Sequence, residues 1–68
     1  MADQTFKKIE LVGTSSESLS AAITNAIAKA NQSVRGMKWF EVVEQRGRIT
    51  NGKVDEFQVT IRVGFVVE

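Results

Sequence analysis

Apolar and polar residues alternate with a period of two in three stretches of the chain, and with a helical period in a fourth. In residues 5–12, Lys7, Ile9 and Leu11 alternate with Phe6, Lys8 and Glu10, the pattern of a half-buried strand. Gly13, Thr14, Ser15 and Ser16 break it with turn chemistry. Thr14 or Ser15 is placed to accept a hydrogen bond from a first-turn amide, and Thr14 and Glu17 have capping-box spacing. An anion site at that helix start is the functional rival; with one glycine in the loop, ordinary capping is favoured. Between residues 16 and 34, Leu19, Ala22, Ile23, Ala26, Ile27, Ala30 and Val34 recur every three or four positions and trace one face of a helix. Small alanines on that stripe let a helix approach a sheet closely, and Gly36 is a fitting stop. A helix without aromatics or a basic face is suited to core packing and not to a membrane surface.

Residues 37–50 and 53–67 predict two long strands around Asn51-Gly52, a strong hairpin signal because both residues tolerate the positive φ of a type I′ turn. With a two-residue loop Thr50 faces Lys53, and each further pair steps outward by one residue. Phe40 then faces Val63, Val42 faces Ile61, Glu41 faces Arg62, Arg48 faces Asp55, Gln45 faces Gln58, and Trp39 faces Gly64, which leaves room for the large ring. In the last strand Phe57, Val59, Ile61, Val63, Phe65 and Val67 point toward the helix, while Gln58, Thr60, Arg62, Gly64 and Val66 point away.

A continuous apolar face suits a central strand, and the helical crossover makes every neighbour antiparallel if the third strand lies between the other two. The predicted fold is therefore α+β, with β-α-β-β order and a three-stranded antiparallel sheet (order 1-3-2) wrapped on one helix. At about 3.4 Å per residue the hairpin strands reach ~45 Å, beyond what a helix of ~28 Å at 1.5 Å per residue can cover. The protruding end carries Glu44, Arg46 and Arg48, expected on the side that is apolar nearer the base. Such a ribbon is a hazard in a monomer and an interface in an assembly.

Composition narrows the chemistry. The 68 residues include no Cys, His, Pro or Tyr, which excludes a zinc site, a thiol nucleophile, a Ser-His-Asp triad and a disulfide scaffold. Nine Lys and Arg against eight Asp and Glu leave +1, no strong field for nucleic acid or membrane. Met1-Ala2-Asp3-Gln4 is polar and precedes no long apolar run, so neither signal peptide nor membrane span is expected, and the cytoplasm is the expected compartment. A chain this short buries only about 60% of its unfolded surface; with metals and disulfides excluded, oligomerisation is the remaining way to stabilise it.

Trp39 falls on the sheet face away from the helix, with Val43, Val66, Phe6 and Val12 among charged neighbours. Two roles suit it there: an anchor between subunits, or a flat platform for a planar ligand. Spacing and composition favour the anchor.

The blocks Lys7-Lys8-Ile9-Glu10-Leu11-Val12-Gly13-Thr14-Ser15, Trp39-Phe40-Glu41-Val42 through Arg46-Gly47, Phe57-Gln58-Val59 and Val63-Gly64-Phe65 resemble a bacterial dodecin over nearly the whole chain. The resemblance implies a single dodecin-like domain over 1–68 that assembles into a hollow homododecamer and binds flavins in stacked pairs between Trp side chains of symmetry-related subunits. Trp39 matches that Trp, Gln58 matches the Gln that hydrogen-bonds the flavin pyrimidine edge, and Arg46 matches a position near the ligand where a basic group meets the FMN phosphate. FMN is the implied cofactor, with riboflavin as a related ligand; some bacterial members also bind coenzyme A. Lys38 stands where relatives often carry an acidic residue, and its charge favours a phosphorylated flavin.

By the expected register Gln58 lies six residues along the strand from the partner of Trp39, about 20 Å, roughly twice the span of an isoalloxazine. Both residues then touch one flavin only from different subunits or through strong strand curvature. Indole stacking quenches flavin emission, which points to storage, buffering or photoprotection. An enzyme is the first rival, but the expected pairs Glu41–Arg62 and Asp55–Arg48 satisfy the candidate carboxylates, so no catalytic residue is assigned. The second is an oligomeric module for single-stranded nucleic acid or protein, using Arg35, Lys38, Arg46, Arg48 and one Trp. Balanced charge and the lack of RNP-like or GXXG signatures argue against nucleic acid.

Overall fold

A computed structural model describes residues 3–68; Met1 and Ala2, the start of the polar N-terminal stretch, lie outside the described residues. The elements run β1 (Thr5–Ser15), α1 (Leu19–Ala30), β2 (Met37–Thr50) and β3 (Lys53–Val67). They form one antiparallel sheet in the order β1-β3-β2, as the alternation predicts. The core sits between β3 and α1: Val59, Ile61 and Val63 are buried together with Ala22, and Ile9, Leu11, Ile23, Ala26, Ile27 and Met37 pack around them. Full burial of three such side chains stabilises by roughly 1.5–3 kcal/mol each.

Gly13 sets how closely the helix approaches. A Cβ there would lie 2.0 Å from the Ala22 carbonyl oxygen and 2.8 Å from the Ala26 Cβ. The helix is shorter than its apolar stripe. Ser18, not Thr14 or Ser15, is the N-cap, and its hydroxyl accepts from the Ala21 amide at 2.9 Å. Ser15 remains in β1, and its Oγ accepts from the Glu17 amide at 2.9 Å, turning the chain into the helix. At the other end Asn31 caps, and the Ser33 and Val34 amides both donate to the Ala30 carbonyl. Val34 therefore belongs to the exit turn.

The hairpin turn is as predicted: Asn51 and Gly52 have φ of 53° and 75°, and Thr50 pairs with Lys53. The register near the base also holds, with Trp39 opposite Gly64, Phe40 opposite Val63, Glu41 opposite Arg62 and Val42 opposite Ile61. Between these ends it slips. Irregularities at Met37/Trp39 and Val42/Glu44 leave Lys38 and Val43 as extra residues in β2, and one at Arg48/Ile49 leaves Asp55 extra in β3. Gln58 consequently faces Arg46 and not Gln45, and Arg48 faces Glu56 and not Asp55. One inserted residue reverses every side chain beyond it. Glu44, Arg46 and Arg48 are thus turned onto the face that carries Trp39 and Gln58, opposite the side expected.

The helix lies over β1 and β3 and leaves β2 exposed beyond Met37. Phe40 and Val42, expected beneath it, are 48% and 47% exposed, and Ile49 is 72% exposed. The chain measures 55 × 21 × 14 Å, with a radius of gyration of 14.2 Å against about 11 Å for a compact domain of this length. Its surface of 5060 Å² exceeds by roughly 800 Å² that of a compact 7.5 kDa monomer. Among the described residues no helix is long and apolar enough to cross a membrane.

Candidate functional site

The sheet face opposite α1 carries the candidate residues in two groups. At the base of the hairpin, the Trp39 indole lies flat across Gly64. A Cβ on Gly64 would fall 2.2 Å from Trp39 Cζ2 and 2.3 Å from Cε2, so the ring uses the space that the missing side chain leaves. Phe6 of β1, opposite Val66, flanks it with ring centroids 5.8 Å apart and a 59° tilt. Two ion pairs border this surface: Lys8 Nζ to Glu41 Oε2 and Arg62 Nε to Glu10 Oε1, both at 3.1 Å. Glu41 is therefore satisfied by Lys8, and Arg62 by Glu10, although Glu41 and Arg62 face each other in the register. The outer side of the indole is left open, with Trp39 39% exposed. Lys38, the extra residue beside it, is exposed and joins no ion pair among the described residues. At the β2 edge, a recess that reaches round to the helix side, bounded by Ile27, Met37, Lys38, Trp39, Phe40 and Val63, holds about 160 Å³, below the range of ~300–1,000 Å³ for small-molecule pockets. One copy offers Trp39 a floor but no roof.

The second group sits toward the hairpin tip. Arg46 Nη1 donates to Gln58 Oε1 at 3.2 Å, and Gln58 Nε2 donates to Glu56 Oε1 at 2.9 Å. The Arg46 guanidinium also pairs with Glu44. Farther out, Arg48 Nε donates to Asp55 Oδ1 at 3.1 Å and Thr50 Oγ1 donates to Asp55 Oδ2 at 2.8 Å. The Arg48–Asp55 pair expected from the sequence thus forms diagonally. The Thr50 hydroxyl, and then Arg48, hold the Asp55 carboxyl below its ordinary pKa, while Asp55 raises that of Arg48.

The fold brings Arg46 and Gln58 together. It keeps them six residues of β3, about 20 Å, from Gly64 and the indole above it. The sequence signal that joins Glu56 to Gln58 is their two-residue spacing, which puts both on one face of the strand.

With this geometry in hand, the family model described as Dodecin matches residues 5–68. The chain belongs to the dodecin family. It is 52% identical over 63 residues to the dodecin of Thermus thermophilus, covering 93% of this chain and 91% of that one. Among solved structures, the tt0972 protein from Thermus thermophilus is similar with a TM-score of 0.91 at 50% identity, covering 97% of both chains. The dodecin from Streptomyces coelicolor gives 0.94 at 40% identity, covering 100% of this chain and 97% of that one. Dodecin membership makes the chain a small flavin-binding protein.

Proposed function

We propose that copies of the chain assemble into a homododecamer that holds FMN, or the related riboflavin, in stacked pairs between Trp39 indoles of neighbouring subunits, storing the flavin in the cytoplasm without turning it over. The observation that carries this reading is the indole laid on Gly64, with one side on the β3 backbone and the other open. A flat ring fits that open side, since an electron-rich indole on an electron-poor ring gains about 1 kcal/mol beyond burial. An oxidised flavin is such a ring, and its excited state takes an electron from indole, so stacking suppresses emission and photochemistry.

Assembly is supported by the apolar side of β2, where Phe40 and Val42 are left about half exposed. Arg46 and Gln58, distant from Trp39 in one copy, reach the same ligand when different subunits supply them. Gln58 then meets the pyrimidine edge, while Arg46 and Lys38 are the cations near the phosphate. Engagement of Glu41 by Lys8 and of Asp55 by Arg48 and Thr50 favours structural roles for these carboxylates and a binding protein over an enzyme. Coenzyme A remains the second nucleotide candidate.

Size-exclusion chromatography monitored at protein and flavin wavelengths tests the reading. Protein incubated with FMN elutes as a yellow species near twelve subunits, and Trp39→Ala weakens binding and restores the fluorescence of any flavin that stays bound. Colourless monomer, or an unchanged Kd in Trp39→Ala, overturns it.

A further inference from the structure

Gln58 carries the one side-chain amide at the tip-side group, and both of its ends are engaged. Its Oε1 accepts from Arg46 Nη1 at 3.2 Å and its Nε2 donates to Glu56 Oε1 at 2.9 Å. A guanidinium can only donate and a carboxylate can only accept. The reversed amide would set N–H groups against the guanidinium and a carbonyl against the carboxylate. We propose that Glu56 is a positioning residue that, with Arg46, locks the Gln58 amide in the single orientation that suits the imide edge assigned to it above. The inference rests on the flavin reading above and deepens it.

The amide has two lone pairs on oxygen and two hydrogens on nitrogen. One of each is taken by Arg46 and Glu56, which leaves one acceptor and one donor side by side. That pair matches an N–H flanked by a carbonyl, the N3 edge of an isoalloxazine: Oε1 accepts from N3–H while Nε2 donates to the adjacent carbonyl. Glu56 is suited to hold its end of the amide. It is half-buried, with its side chain 26% exposed. It lies two residues from Gln58 on the same strand face, and Arg48 Nη1, 3.9 Å from its Oε1, helps to hold it in place. Orienting a long side chain before the ligand arrives lowers the ordering cost of binding.

Titration of the assembled protein with riboflavin and with N3-methylriboflavin tests the proposal. The methyl group removes the N3 donor and leaves Oε1 short of a partner, so the wild type binds the methylated flavin about tenfold or more weakly. Gln58→Leu abolishes that preference. Glu56→Leu weakens riboflavin binding roughly three- to tenfold and narrows the preference at the same time. Glu56→Gln, whose own amide oxygen still accepts from Gln58, restores both. If Glu56→Leu does not assemble, Glu56→Thr carries the same comparison. A wild type that binds neither flavin overturns the flavin reading and this inference with it. A wild type that binds both equally removes the imide edge as determinant. If Gln58→Leu loses the preference while Glu56→Leu keeps both affinity and preference, flavin binding stands and the role of Glu56 alone falls.

Discussion

Gly64→Ala is the sharpest perturbation of the site, because it adds one methyl group and touches one ring. The new Cβ would sit 2.2, 2.3 and 2.6 Å from Trp39 Cζ2, Cε2 and Cη2. Ordinary carbon contacts begin near 3.5 Å, so the indole must withdraw by roughly 1.3 Å or change rotamer. The backbone raises no objection, since the glycines with positive φ among the described residues are Gly36 and Gly52. The cost therefore falls on the ring. Overpacking of this kind costs about 1–3 kcal/mol, and if the displaced indole no longer stacks, FMN binding weakens roughly five- to hundredfold. Tryptophan emission of the ligand-free variant shifts to longer wavelength as the ring lifts from the sheet, and FMN titration reports the weaker Kd. A variant with native emission and native affinity would refute the claim that Gly64 is the floor of the site.

Gly13→Ala pushes a Cβ against the Ala22 carbonyl, a backbone atom that yields only if the helix shifts; it destabilises by about 3 kcal/mol, read as a fall in denaturation midpoint. Ser18→Ala removes the helix cap and costs about 1 kcal/mol, whereas Thr14→Ala changes the same melting curve little. The Asp55 pKa is lowered in the folded chain, so its stabilising contribution is present above the ordinary carboxylate range and is lost as pH falls through the lowered value. Asp55→Asn is thus less stable than wild type near neutrality, and the two converge in acid when denaturant midpoints are followed against pH.

The strand order and both ends of the hairpin register were legible because Asn51-Gly52 anchors one end and the apolar alternation of β3 holds over its full length. The middle of β2 was not, because a strict two-residue period has no place for an inserted residue. Its trace is nonetheless in the sequence. Met37 to Phe40 is a step of three where a strand face steps by two, and the Val42-Val43 doublet precedes a switch from even positions, Phe40 and Val42, to the odd position Ile49. The stripe of α1 overran the helix at Val34 because a residue in the exit turn can satisfy helical spacing without being helical. At the site, Gly64 as the partner of Trp39 followed from complementarity of size across the hairpin. The Arg46–Gln58–Glu56 chain did not, because it depends on the slipped register.

The same irregularities in β2 govern how the molecule can propagate. Both margins of the sheet, β1 and β2, expose backbone donors and acceptors that would accept another strand and grow without limit. Extra residues at Lys38 and Val43 interrupt the β2 margin twice within seven positions, so a straight incoming strand loses its ladder after a few bonds. Copies are left to meet through side-chain surfaces, which resists open-ended strand stacking.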